Sequence, residues 1–275
     1  MWLVGIAVLL LVICLLCLLI GWRSDRSPVI IWDIAGTART YTTIVGTLAG
    51  FSVTSSIFVA NLSVARESAA FESLMALFLI AFLVFISSAM QFATTPNLPN
   101  RQDEVYLTIQ ALSYVLANSN FYLGLCLSWL GLPLLLVAIG LEYLADIFIW
   151  LVLFAILGGA MRVSSSGLNV LALVELRVGL SLLLVCFGAA ALYRLVATEY
   201  ADDLLPAEHG PALFAVLCFA VAAAGFSLQS AVVGALGQES SAARLSRVGR
   251  PLLVAYTTAV FTTTGLLWFA VHAAV

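Results

Sequence analysis

Charged residues are scarce in this sequence, and lysine is absent. Only 9% of the 275 residues are charged, all 11 basic residues are arginine, and 63% of the chain is apolar. A soluble globular domain carries roughly a quarter charged residues, so this chain has too little polar surface to cover a fold in water. The composition predicts an integral membrane protein whose surroundings are the lipid bilayer, and it excludes a basic nucleic-acid-binding face.

Long polar segments are also missing, so no soluble domain is expected. The longest segment between apolar runs, residues 94–118, is well short of the roughly 50 residues of a small domain. Helical spacing of apolar residues there predicts an interfacial helix that leads into the fourth span. The runs predict an all-α bundle of about eight transmembrane helices, because each approaches the roughly 20 residues that cross the hydrocarbon core. We expect one polytopic domain over residues 1–275, with spans at about 2–21, 41–63, 72–92, 121–140, 144–161, 176–198, 211–236 and 251–274.

The sequence lacks the patterns of metal, haem and common catalytic sites. All five cysteines lie inside apolar runs, where a thiol acts as a small hydrophobic group. The spans carry no histidine pair that could ligate haem, and no metalloprotease, nucleophile-elbow or phosphate-binding motif occurs. We therefore expect no cofactor, no metal and no enzymatic activity. An active site assembled from scattered polar residues at a rim is the enzymatic alternative.

The arginines are distributed unevenly between alternate connections. Nine lie in or beside the connections on one side, against Arg66 and Arg194 on the other. Short arginine-rich loops remain on the cytoplasmic side, so both termini are predicted to lie outside. The expected location is the plasma membrane, as a multi-pass protein, which in a bacterium is the inner membrane.

Polar residues concentrate in the second, seventh and eighth spans, which we expect to form the interior. The first, fourth, fifth and sixth spans are almost purely apolar, as the perimeter of a bundle would be. Polar groups inside a membrane avoid lipid and seek partners. The candidate pore-lining or bundle-lining residues are Thr43, Thr47, Gly50, Thr54, Asn61, Gln229, Thr258 and Thr262.

Two functions fit this pattern. A path lined by hydroxyl groups, with Arg66, Glu67 and Glu72 at its outer mouth, is typical of a channel or carrier for an ion or small solute. Small residues such as Gly46 and Gly50, one turn apart, equally allow close helix packing. That packing favours the alternative, a non-transporting structural or regulatory subunit in a homo-oligomer or a larger complex.

Two further features bear on transport. Glu175 is the deepest acidic residue, and a carboxylate within hydrocarbon is costly enough to indicate a proton or cation site. An ordinary ion pair with Arg177 at the cytoplasmic headgroups is the alternative. The sequence Ala-Gly-Phe-Ser occurs at 49–52 and at 224–227, in spans predicted to run in opposite directions. This is typical of inverted-repeat transporters, although it also arises by chance in helices rich in glycine and alanine.

The second and third spans resemble the pore-side hairpin of Orai-type calcium channels. The resemblance consists of Leu-Ala-Gly-Phe at 48–51 and Ile-Ser-Ser at 86–88, followed by Pro-Asn at 96–97. The resemblance implies that the two spans form a helical hairpin with the same orientation in the membrane as the hairpin of that family. Phe58 stands where that family places its selectivity glutamate, and the chain has more predicted spans, so no selectivity residue is carried over.

Overall fold

The computed structural model describes six α-helices. It covers residues 33–62, 68, 70–95, 104–171, 210–234 and 239–275, without the side chains of 104–108, 161–162, 164–171, 239–255 and 258. The helices are α1 (Ile34–Asn61), α2 (Phe71–Thr94), α3 (Glu104–Ala138), α4 (Glu142–Leu171), α5 (Gly210–Gly234) and α6 (Glu239–Ala274). These ranges contain no strand, so the all-α prediction is confirmed for the described part of the chain.

Five stretches of helix are long and apolar enough to cross a membrane. They are α1, α2, residues 109–138 of α3, residues 142–160 of α4, and α5. In α6, residues 259–274 form a shorter apolar stretch. These helices fit an integral membrane protein. The predicted spans 2–21 and 176–198 lie outside the described residues.

The helix that contains the fourth predicted span is longer than that span. Residues 104–138 form one continuous helix, and residues 111–120 within it are all buried. The stretch predicted to be interfacial is therefore the first half of a core helix. Its polar residues can be buried because neighbouring helices supply hydrogen-bond partners.

Helix α3 is the centre of the bundle. It contacts each of the other five described helices, whereas α1 packs on α2 with only a small contact to α3. Inside the bundle, 56% of the apolar stretch of α3 is buried, against 28% for α1 and for α5. Within the described bundle the fourth predicted span, in α3, is therefore more buried than the second and seventh, in α1 and α5, which is the reverse of what their polar composition predicts.

Aromatic rings of one helix pack against glycines of the next. A Cβ atom on Gly124 would lie 2.7 Å from the Phe85 ring, and one on Gly131 would lie 2.9 Å from the Phe78 ring. The rings reach the facing backbone because glycine has no side chain, which is how small residues allow close helix contact in membranes. The pairs are Phe78 with Gly131, Phe85 with Gly124, Tyr122 with Gly159 and Tyr256 with Gly225.

Helices α4 and α5 run in the same direction. α4 follows α3 through a tight turn, in which Gly140 has a φ of 78°, and packs back along it. α5 also runs against α3, because Ala222 contacts Asn120 whereas Gln229, further along α5, contacts Ser113. The C-terminal end of α4 and the N-terminal end of α5 therefore lie at opposite ends of the bundle.

Candidate functional site

Uncharged polar side chains form a buried cluster that joins four helices near the end of α2. All are buried except Thr94. We call this group the polar cluster. Its members are Gln91 and Thr94 of α2, Thr95 directly after α2, Ser113 and Asn120 of α3, Gln229 of α5 and Tyr256 of α6.

Gln229 attaches α5 to α2 and α3. Its Nε2 donates to the main-chain oxygen of Gln91 at 3.0 Å, to Thr94 Oγ1 at 3.2 Å and to the hydroxyl of Ser113. Ser113 Oγ also lies 3.1 Å from Thr95 Oγ1. One amide of α5 thus contacts two other helices.

Asn120 connects α3 to the other three helices of the cluster. Its Nδ2 donates to Gln91 Oε1 at 2.7 Å and to the main-chain oxygen of Ala222 at 3.1 Å. Its Oδ1 accepts a hydrogen bond from the hydroxyl of Tyr256. Hydrogen bonds between membrane helices contribute about 0.6 kcal/mol on average and up to about 1.7 kcal/mol. The cluster therefore fixes the relative positions of α2, α3, α5 and α6.

The Nε2 atom of Gln91 is buried and has no hydrogen-bond partner among the described residues. The side chain is 0% exposed. An amide donor buried without a partner costs about 1–3 kcal/mol. The polar cluster thus retains a donor that could bond an additional acceptor.

The candidate lining residues of the second span lie on the outer face of α1. All of them, Thr43, Thr47, Gly50, Thr54 and Asn61, are exposed. This differs from the expectation that they line the interior. The side of α1 that packs on the bundle carries Ala38, Val45, Ala49, Ser52, Ser56 and Val59 instead.

The outer polar side chains of α1 are bonded to carbonyls of their own helix. Thr47 donates to the main-chain oxygen of Thr43 at 3.0 Å, Thr54 to that of Gly50 at 2.9 Å, and Asn61 to that of Ile57 at 2.9 Å. A hydroxyl bonded to the carbonyl four residues earlier needs no partner on another helix. Because these side chains bond their own helix, the polar composition of α1 did not reveal which face of the helix points into the bundle.

The other predicted residues are in different places. Gln229 lies inside the bundle, Thr262 is half-buried, and Glu72 is exposed in the first turn of α2. The side chain of Thr258 is outside the described part, as are Arg66, Glu67 and Glu175. The structure therefore brings Gln229 into the polar cluster and does not bring the α1 residues to it.

The repeated Ala-Gly-Phe-Ser sequence occupies unlike environments. In the part of the chain that the structure describes, no atom lies within 4 Å of a Cβ position on Gly50 of the first copy, whereas Gly225 of the second lies against Tyr256. The Oγ atom of Ser52 lies 3.3 Å from Oγ of Ser128 on α3, whereas the hydroxyl of Ser227 donates to a main-chain oxygen of its own helix. The two copies therefore do not form equivalent contacts.

Sequence reasoning missed the polar members of α2 and α3, because these spans are otherwise apolar. Gln91 and Asn120 are the two residues from which the sequence could have indicated the polar cluster. A carboxamide has two donors and an acceptor oxygen, more than the carbonyls of its own helix can satisfy. The amides of Gln91 and Asn120 accordingly bond between helices, whereas the amide of Asn61, in the last turn of α1, bonds a carbonyl of its own helix.

The described residues contain no group of three His, Cys, Asp or Glu side chains arranged to hold a metal ion. Cys126 and Cys218 are free, buried thiols.

No protein-family model, no curated protein and no solved structure matches the chain.

Proposed function

We propose that this chain is a plasma-membrane protein of about eight spans, with both termini outside, that serves as a structural or regulatory subunit. It packs with other transmembrane helices in a homo-oligomer or a larger complex. The observation that carries the proposal is the outward position of the α1 stripe, combined with interior polar groups that bond to one another. In a transport path lined by α1, its hydroxyl groups would face the interior instead.

The helix directions support the number of spans. Residues 172–209 connect the C-terminal end of α4 to the N-terminal end of α5, and these ends lie on opposite sides of the bundle. A further crossing by the apolar run at 176–198 would agree with these helix directions. The uneven distribution of arginines supports the orientation.

The outward stripe of α1 has the properties of a helix-packing surface. We call Thr43, Gly46, Thr47, Gly50 and Thr54 the α1 face. A Cβ atom on either glycine would have no neighbour within 4 Å among the described residues, so the backbone on this face is open to a second helix. The hydroxyls of Thr47 and Thr54 already bond their own helix and can be covered without losing a partner.

The mass of the assembly extracted from native membranes tests this proposal. We expect the wild-type assembly to exceed the 29.3 kDa of one chain, and the Gly46→Leu and Gly50→Leu variants to lose the additional mass because leucine blocks close approach. Gly158→Leu is the matched control, since Gly158 is also exposed and open but lies on α4. A wild-type protein that runs as a single chain, or assembly that survives both α1 substitutions, would refute the subunit function.

Transport of a small solute or an ion is the second candidate, and one observation favours it. The polar cluster places hydrogen-bonding groups inside the bundle and leaves Gln91 Nε2 without a described partner. Flux into liposomes that contain the purified protein tests this function, with Gln91→Leu as the variant and Ser227→Ala, an exposed serine, as the control. Flux equal to that of protein-free liposomes excludes transport of the solute tested, and unchanged flux in Glu175→Gln excludes Glu175 as the proton site.

A further inference from the structure

All the arginines that the structure describes lie at one end of the bundle, the end that carries the polar cluster. They belong to three different helices, α1, α4 and α6. Contacts of these helices with α3 give the height of each arginine, by which we mean its position along α3. The arginines are Arg39, Arg162, Arg244, Arg247 and Arg250.

Arg39 of α1 lies beside the middle of the polar first half of α3. Tyr41, two residues further along α1, has its ring 6.4 Å from the Tyr114 ring and 5.6 Å from the Phe121 ring, measured between centroids. Arg39 is therefore at about the height of Tyr114 to Phe121. Its side chain is exposed.

Arg250 of α6 has nearly the same height. The hydroxyl of Tyr256 donates to Asn120 Oδ1, and the Phe261 ring packs on the Tyr122 ring, so α6 runs in the same direction as α3. Arg250 precedes Tyr256 by six residues, and the residue six before Asn120 is at position 114. Arg250 thus lies at about that height.

Arg162 of α4 joins this level from another side of α3. The hydroxyl of Tyr122 donates to the main-chain oxygen of Ile156 at 3.0 Å, and a Cβ on Gly159 would lie 2.9 Å from the Tyr122 ring. Because α4 runs against α3, Arg162, three residues after Gly159, is about one turn from Tyr122 towards the start of α3. We call Arg39, Arg162, Arg247 and Arg250 the arginine belt.

The described acids at this end lie further out than the belt. Asp33 precedes Arg39 by six residues, and its carboxylate accepts a hydrogen bond from the Gly36 amide at 2.9 Å, as the cap of α1. Glu104 and Glu239 are the first residues of α3 and α6, about 15 Å beyond the height of the belt at a rise of 1.5 Å per residue. At its own height, the belt therefore has an excess of positive charge among the described residues.

The opposite end of the described bundle carries acids and no arginine. Glu72 is in the first turn of α2, and Glu142 and Asp146 are in the first two turns of α4. From the height of Arg250 to Ala138, the last residue of α3, the helix rises about 36 Å. The hydrocarbon core of a bilayer is roughly 30 Å thick. The belt and the acids therefore lie at the two headgroup levels of one membrane.

Apolar side chains adjoin the belt on its bilayer side. Ile44 of α1 and Phe154 of α4 are exposed within about two turns of Arg39 and Arg162. A ligand at the belt can therefore place a charged group beside the arginines and an apolar chain against the helices. A lipid has both parts, whereas a free anion has only the first.

We propose that the arginine belt binds the phosphate groups of anionic lipids in the leaflet at this end of the bundle. Guanidinium groups pair well with phosphate, because their fork of N–H donors matches two phosphate oxygens. Basic residues beside membrane helices attract anionic lipids. The belt would thus select the lipids that surround α4 and α6.

Native mass spectrometry of the purified full chain in detergent tests this proposal. The chain is titrated with phosphatidylglycerol or with phosphatidylcholine of the same acyl chains. We expect the wild type to bind phosphatidylglycerol more tightly. Arg162→Gln and Arg250→Gln should each weaken that binding about fivefold, and together about 25-fold, since each basic residue near an anionic surface contributes about a factor of five. Binding of phosphatidylcholine should not change.

Three controls separate the charge of the belt from other effects. Arg162→Lys and Arg250→Lys keep the charge and should retain most of the preference for phosphatidylglycerol. Arg194→Gln removes an arginine predicted on the opposite side and should bind like the wild type. An excess of inorganic phosphate should leave the lipid bound, because the acyl chains also contribute.

Four results would overturn the proposal: equal wild-type affinity for the two lipids, unchanged affinity in the double glutamine variant, equal losses in the lysine and glutamine variants, or displacement of the lipid by inorganic phosphate. Near-UV circular dichroism checks that each variant is folded, and the single variants decide the matter if the double variant does not fold. Arg162 and Arg250 lie outside the α1 face, so these variants should assemble like the wild type. Lipid binding and the subunit function can therefore fail separately.

Discussion

Replacing Gly124 by alanine tests the packing of aromatic rings on glycines. The added Cβ would lie 2.7 Å from Cδ1 and Cε1 of Phe85 and 3.2 Å from its Cζ. Carbon atoms in optimal contact are roughly 3.5–4.0 Å apart, so the ring has to move by most of an ångström. Phe85 is only 1% exposed and has Phe121 beside it, which leaves it little room. Such overpacking costs about 1–3 kcal/mol.

The same substitution at Gly158 provides the control, because Gly158 is exposed on α4 and lies outside the α1 face. Both glycines lie within helices, so both gain the helix propensity of alanine, up to about 1 kcal/mol. Among the described residues, a Cβ on Gly158 meets nothing within 4 Å. The difference between the two variants therefore isolates the contact with Phe85.

Thermal unfolding in detergent, followed by near-UV circular dichroism, measures that difference. We expect Gly124→Ala to unfold below Gly158→Ala by about 2–4 °C for each kcal/mol lost. Equal transition temperatures, or a higher one for Gly124→Ala, would show that α2 and α3 are not as closely packed as described.

Two further predictions concern buried polar groups and thiols. Asn120→Leu removes the hydrogen bonds of Asn120 to Gln91, Tyr256 and α5, so we expect a loss of about 1–3 kcal/mol in unfolding free energy. Tyr256→Phe alone should lower the unfolding free energy by less than Asn120→Leu does. In the Asn120→Leu background it should lower it almost no further, because the shared hydrogen bond is already lost. Additive losses would argue against that shared bond. Cys126 and Cys218 are each 1% exposed, so a polar maleimide should label them only after unfolding, as mass spectrometry of labelled peptides would detect.

The polar residues of α1 and α5 show how far composition predicts a bundle. Both helices are rich in small and hydroxyl residues, and both were expected inside. Gln229 is inside, because its amide bonds to two other helices. Thr54 is outside, because it bonds the carbonyl of Gly50 in its own helix. Residue type alone therefore did not separate the two positions: an amide can also bond its own helix, as that of Asn61 does.

The first half of α3 shows the opposite case. The sequence predicts an interfacial stretch before the fourth span, since polar residues are frequent there. Ser113 and Asn120 are instead buried in the centre of the bundle, where Gln91 and Gln229 supply their partners. No local pattern reveals these partners, because they are more than 20 residues away along the chain.

The sequence by itself determined that this protein forms helices that are long and apolar enough to cross a membrane. Hydrocarbon offers no hydrogen bonds, so each apolar run has to satisfy its backbone within its own helix. The tertiary structure alone decided which helix is central and which face of each helix points inward. The physical reason is that serine and threonine can bond their own helix or a neighbour, and only the packed bundle shows which of these partners is used.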